Sequence, residues 1–269
     1  MTPPSISQIS SPREIKALRL AILETDPDLV TVSGSFAQLF RTLFTNSVTQ
    51  KEELAEHATL EIKNFNVVAG VYPSDPSMFD GILVTGSRAT AFDSDPWILQ
   101  LCAFLKHVYD DYDNVRLVGV CFGHQIIARA LGGVVEENPA GWEVAVTELT
   151  LDEAGVGSKL FPESSLEGKL LMQEMHRDHV AKAPAGVCVF ACTDKSPIQG
   201  MYVPDKLLTL QGHPEFDSDV AESLVDLRVR TGAITGSEAL DALRRSRLPN
   251  HGEVVGKAVV RFLSGAIDV

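Results

Sequence analysis

The sequence predicts an α/β fold: a mostly parallel sheet with helices on both faces, continued by an antiparallel excursion and closed by a helical C-terminal tail. Three observations point to it. Up to residue 133, short apolar runs rich in β-branched residues alternate with stretches of helical periodicity. Beyond that residue the spacing changes to strands and hairpins. Finally, 269 residues with 45% hydrophobic content and no low-complexity tract or internal repeat can bury a sizeable core.

Residues 1–14, rich in serine and proline without a signal-peptide apolar region, read as a flexible lead-in; one domain then covers 15–269. Leu18–Leu23 is the first expected strand, followed by the acidic loop Glu24–Asp28 and a helix over Phe36–Phe44. A second strand is expected at Phe65–Ala69, a third at Gly81–Thr85, a helix at Pro96–Tyr109 and a further strand at Val115–Val120. Gln125–Leu131 has helical periodicity and stops at Gly132-Gly133. Strand–helix–strand units of this kind imply right-handed crossovers, a parallel sheet and a site at the strands' carboxyl ends. Val134–Glu137 and Trp142–Leu151 then read as the antiparallel excursion. Strands follow near Leu170–Met175, Val187–Thr193, Ile198–Val203 and Leu207–Gln211. Residues 217–269 read as a helical extension, with helices at Asp219–Arg230, Ser237–Arg245 and Glu253–Leu263 punctuated by Gly232 and Pro249-Asn250.

The chemistry concentrates where the Val115–Val120 strand meets the next helix. Gly119-Val120-Cys121-Phe122-Gly123-His124-Gln125 sets one cysteine between two glycines, the arrangement of a nucleophile elbow. The glycines permit a sharp turn, and a helix N-terminus beside the sulfur favours the reactive thiolate. The matching partner is Gln211-Gly212-His213-Pro214-Glu215-Phe216, just after the Leu207–Gln211 strand. A histidine there can reach a nucleophile at the end of a neighbouring strand, and a carboxylate two residues on can orient its ring. Cys121 is therefore expected to attack, His213 to take and return the proton, and Glu215 to fix the tautomer.

These paired motifs resemble a class I glutamine amidotransferase domain over roughly residues 15–216, which implies a flavodoxin-like sheet and a Cys-His-Glu triad. The resemblance also implies an oxyanion hole, with backbone N–H groups from the Gly86-Ser87 loop and from Phe122. Thr85-Gly86-Ser87-Arg88-Ala89-Thr90-Ala91-Phe92-Asp93 and Met175-His176-Arg177-Asp178-His179-Val180 are similar to the plant γ-glutamyl peptidases and free-standing fungal relatives. Gln125 is implied to recognise the glutamyl end of a substrate, and His176 and Asp178 to line the substrate side. Arg88 and Arg177, near candidate loops, are candidates to receive a substrate carboxylate, with a solvated surface position the alternative for each. Gly86-Ser87-Arg88 departs from the consecutive glycines of many glutamine-specific members.

Composition excludes other classes. A net charge of −13 argues against nucleic acid as a partner, and no apolar run reaches the ~18 residues needed to cross a bilayer. A cytoplasmic protein is expected. Four cysteines, at 102, 121, 188 and 192, make no disulfide framework, and the isolated His176-x-x-His179 lacks further ligands, so neither metal nor organic cofactor is expected. The expected activity is covalent hydrolysis of a small-molecule γ-glutamyl amide. Two other readings stay open: a glutaminase subunit supplying ammonia to a separate synthase, and a noncatalytic binding protein on the same fold. Residues 217–269 are too few for an ATP-binding synthetase domain of ordinary size.

Overall fold

A computed structural model describes residues 17–49, 59–152, 156–162 and 166–266; the lead-in expected at 1–14 lies outside them. The first half contains β1 (Leu18–Glu24), the two-residue strands β2 (Val30–Thr31) and β3 (Gly34–Ser35), α1 (Phe36–Thr49) and β4 (Leu60–Asn66). β5 (Gly81–Val84), α2 (Pro96–Asp111), β6 (Arg116–Val120) and α3 (Phe122–Ala130) follow. After them come β7 (Val134–Glu137), β8 (Glu143–Leu151), α4 (Val156–Leu160), β9 (Lys169–His176) and β10 (Asp178–Lys182). The last elements are β11 (Cys188–Cys192), β12 (Gly200–Val203), β13 (Leu207–Leu210), α5 (Ser218–Arg230), α6 (Gly236–Arg245) and α7 (Gly252–Ser264).

The expected α/β architecture is what forms. The central sheet runs β4-β1-β5-β6-β13-β12-β11-β8-β9, parallel through its first five strands and antiparallel from β13 onwards. Every residue of β5 and β13 is buried, as central strands covered on both faces must be. The period of two sorts β1: Leu20 and Ile22 pack with Phe40 and Phe44 of α1 and Val259 and Phe262 of α7. Ala21 and Leu23 pack on the other face with Leu101 and Leu105 of α2 and Ile126 and Ile127 of α3. Each of these leucine, isoleucine, valine and phenylalanine side chains contributes about 1.5–3 kcal/mol of burial.

The tail divides in two. α7 returns to cover a sheet face, whereas α5 and α6 form a third apolar cluster with Leu29, Phe36, Met175 and Phe216 near the carboxyl ends of the parallel strands. Register places the site there: Val84 pairs Gly119, and Leu210 pairs Val120, so the chain leaving β5, β6 and β13 emerges at one level.

Three details differ from the sequence reading. The second strand lies at Leu60–Asn66, not Phe65–Ala69, because Asn66 takes the Ala69 N–H on its side chain and Gly70 closes a turn onto Val67. At the sheet edge Glu61, Lys63 and Asn64 are exposed, which breaks the apolar run that would have marked it. The first helix continues past Phe44 to Thr49. The excursion is also split, since β7 pairs β10 in a separate two-stranded sheet while β8 joins the main one. Among the described residues no helix is long and apolar enough to cross a membrane, and no cluster of His, Cys, Asp and Glu is suited to a metal ion.

Candidate active site

Cys121 sits between β6 and α3 with φ 54° and ψ −108°, a conformation that costs a non-glycine residue on the order of 1–3 kcal/mol. Its neighbours impose it. The Cys121 N–H donates to the Leu210 carbonyl at 2.9 Å, tying the turn to β13. A Cβ on Gly119 would lie 2.5 Å from the Gly123 carbonyl oxygen, and one on Gly123 would lie 2.2 Å from that of Val84. Only glycine at both positions lets α3 start this close to β5 and β6, and the sulfur is thereby held at the first turn of the helix.

His213 is fixed from three directions. Its backbone N–H donates to the Gln173 carbonyl at 2.8 Å, its Nδ1 lies 2.7 Å from Glu215 Oε1, and the Cys121 sulfur is close enough to act on the ring's charge. The Phe216 ring stacks on it at 3.9 Å and 8°, with Phe36 at 6.1 Å. Burial works against a charged His213, but the Glu215 carboxylate and the Cys121 sulfur outweigh that cost and push it up to about 10. Cys121, His213 and Glu215, three positions spread over two distant motifs, are thus brought together at the strand ends, with the His213–Glu215 pair joined by a hydrogen bond.

Gly86 faces this group: a Cβ there would lie 2.9 Å from His213 Cε1 and 3.7 Å from Cys121 Cβ. Thr25 holds the loop, its hydroxyl donating to the Gly86 carbonyl at 2.8 Å while Ser87 Oγ donates to the Thr25 carbonyl at 2.9 Å. Phe122 opens α3, where the first N–H groups have no intrahelical acceptor. The Gly86-Ser87 loop and the first turn of α3 therefore both border Cys121.

The expected recognition residues are placed less uniformly. Arg88 lines the cavity over Cys121, yet its guanidinium is engaged with Asp26 through two bonds of 2.7 and 2.8 Å. Gln125 is buried, its amide donating to the Asp178 carbonyl at 2.8 Å and to Gln211 Oε1 at 2.9 Å, which fastens α3 to β10. His176 is buried between Glu143 and Glu174, 3.3 Å from each. Burial disfavours its charge, but the two carboxylates push it up to about 10; Glu143 is also penalised by burial, yet His176 and nearby hydroxyls bring it down to about 2. Arg177 is exposed and faces Glu137 at 3.5 Å, and burial raises Asp178. None of Gln125, His176, Arg177 and Asp178 lines the cavity, which measures about 20 Å³.

The cavity walls come from residues that sequence reasoning missed: Leu29, Phe36, Met175, Phe216, and Leu224, Leu227 and Arg228 of α5. Phe216 stood in the quoted motif, and an aromatic three residues after a turn histidine was a usable signal. Arg228 carried none, being one basic residue among several in an amphipathic tail helix.

The model of the family described as glutamine amidotransferase class I matches residues 42–226. A glutamine amidotransferase-like protein of Schizosaccharomyces pombe is 32% identical over 251 residues, covering 91% of this chain and 98% of that protein. Gamma-glutamyl peptidase 4 of Arabidopsis thaliana is 32% identical over 171 residues, covering 63% of this chain and 67% of that one. Among solved structures, a glutamine amidotransferase from Thermotoga maritima superposes with a TM-score of 0.64 at 15% identity, over 92% of this chain and 96% of that one, a likeness of fold. With the fold, the extent of the model match and these relatives in agreement, the chain belongs to the class I glutamine amidotransferase family.

Proposed function

We propose that the chain is a cysteine-dependent hydrolase of γ-glutamyl amide bonds, acting on glutathione, glutathione conjugates or γ-glutamyl peptides. The observation that carries this reading is the His213 imidazole, hydrogen-bonded to Glu215 and sharing one small cavity with Cys121. The γ-glutamyl peptidase relatives support the choice of bond.

The Cys121 thiolate adds to the γ-carbonyl carbon, and the carbonyl electron pair moves to oxygen. The N–H groups of Phe122 and the Gly86-Ser87 loop stabilise that oxyanion, a donor of this kind being worth about 2.7–4 kcal/mol. His213 passes its proton to the amide nitrogen, the C–N bond breaks, and the free amine leaves a glutamyl thioester on Cys121. A water then gives a proton to the now neutral His213 and adds to the thioester. Glutamate departs, and thiolate and imidazolium are restored. No step calls on an external redox partner.

A volume of about 20 Å³ admits about one water, so the glutamyl group enters only as the lining side chains part. Ser87 and Arg88 also line an adjoining cleft of about 340 Å³ with Thr25, Asp26, Asp28 and Trp97. We assign that cleft to the leaving group, whose released ammonium suits Asp28, Asp26 being held by Arg88.

The test is glutamate release from glutamine, glutathione and S-methylglutathione, with Cys121→Ala as the blank. Faster release from the peptides supports the reading. Release from glutamine alone points to a glutaminase subunit feeding a separate synthase, and release from none points to a noncatalytic binding protein.

A further inference from the structure

The chain carries a net charge of −13, whereas glutathione and other γ-glutamyl compounds are themselves anionic, so a local positive group must offset the general repulsion. Three arginines belong to the loops and helix around Cys121, and two are already neutralised. Arg88 is paired bidentately with Asp26, and Arg177 reaches Glu137 at 3.5 Å and Asp178 at 3.8 Å.

Arg228 differs. It lines the Cys121 cavity from the last turn of α5 and is half-buried, and the described residues offer its side chain neither a hydrogen bond nor a carboxylate within ion-pair range. Its guanidinium carbon lies 5.2 Å from the Trp142 ring, and burial lowers its pKa while Cys121 and, more weakly, Asp26 act against that through space. A basic residue in a helix's last turn complements the macrodipole wherever it points, but Arg230 in the same turn is exposed while Arg228 is turned inward among Leu224, Leu227 and Phe216. Withdrawing a guanidinium from water without a counter-ion is costly, and five fixed donors remain available beside the nucleophile.

We propose that Arg228 binds a carboxylate of the γ-glutamyl substrate and so sets a requirement for anionic substrates, an inference that rests on the hydrolase reading above. The carboxylate is that of the glutamyl α-carbon or that of the glycine end. Arg guanidinium matches either through two parallel N–H···O bonds, with the Trp142 face bracing the other side of the group.

The experiment compares wild type, Arg228→Met and Arg228→Lys on glutathione and on its glycine monoethyl ester, with melting curves to verify folding. Arg228→Met should raise KM for glutathione about ten- to hundredfold, the usual loss for a charge-assisted hydrogen bond, while kcat changes less than about threefold. Arg228→Lys should recover part of it. An equal KM penalty on glutathione and on the ester supports the glutamyl α-carboxylate as the ligand; a penalty on glutathione alone supports the glycine carboxylate. Unchanged KM for both, or a fall confined to kcat, overturns the inference and leaves the hydrolase reading standing. A folded wild type that releases no glutamate overturns both.

Discussion

Replacing Gly86 by alanine probes whether His213 is as immobile as its surroundings imply. The new Cβ would stand 2.9 Å from His213 Cε1. Non-bonded carbons prefer about 3.5–4.0 Å, so the pair must separate by at least roughly 0.6 Å. The ring has little room to yield: Phe216 stacks on it at 3.9 Å, and Glu215 holds Nδ1 at 2.7 Å. The Gly86 carbonyl is in turn bonded to the Thr25 hydroxyl at 2.8 Å, which ties the loop from behind. Misplacing reacting groups by about 1 Å costs on the order of a hundredfold, so Gly86→Ala should lower kcat/KM about ten- to hundredfold. That corresponds to about 1.4–2.7 kcal/mol of transition-state stabilisation. Two assays read it: glutamate release, and the rate of Cys121 alkylation by iodoacetamide, which needs no assumption about substrate. Gly132→Ala is the control. Its φ is +91° with open space around the new Cβ, so it should lose on the order of 1–2 kcal/mol of stability while keeping activity. If Gly86→Ala matched wild type in both assays, the close approach of the loop to His213 would not be real.

Glu215→Gln should lower kcat on the order of 10²- to 10⁴-fold, since the amide cannot stabilise the imidazolium and the tautomer is no longer fixed; a loss under tenfold would remove Glu215 from the triad. The buried His176 cluster should show in the pH dependence of stability. His176 is raised to about 10 from an unfolded value near ~6.5, so its stabilisation is complete below pH ~6.5 and is lost as pH rises through about 10. Thermal melts should fall over that window by on the order of 1 kcal/mol per pH unit, and His176→Gln should flatten the slope. Glu143, lowered to about 2, contributes with the opposite sign, its stabilisation being lost as pH drops below ~4.5 towards about 2. A variant with an unchanged alkaline slope would mean that His176 does not hold its charge.

The parts of the molecule legible in the sequence are those governed by local covalent geometry. Gly119 and Gly123 around Cys121 could be read because a backbone approach of 2.5 Å or less tolerates no other residue. His213 and Glu215 could be read because two residues of chain fix their separation. The Leu18–Leu23 and Gly81–Thr85 strands were readable because parallel strands buried on both faces are dominated by apolar residues. What escaped depends on partners far along the chain. β4 is an edge strand whose solvent-facing residues are polar, so no apolar run announces it. His176, expected to line the substrate side, is instead captured by Glu143 and Glu174, and no spacing rule foretells which carboxylates a buried histidine will meet. Arg228 reaches the cavity only because α5 folds back over the strand ends.

The central claim, that Cys121 is the nucleophile for γ-glutamyl transfer to water, is tested most directly by labelling the protein with a glutamate analogue that carries an electrophilic γ-carbon and mapping the adduct by peptide mass spectrometry. The account predicts one label per chain, on Cys121, slowed by glutathione and absent from Cys121→Ala, which also releases no glutamate. Labelling of Cys102, Cys188 or Cys192 instead, or glutamate release that survives in Cys121→Ala, would contradict it.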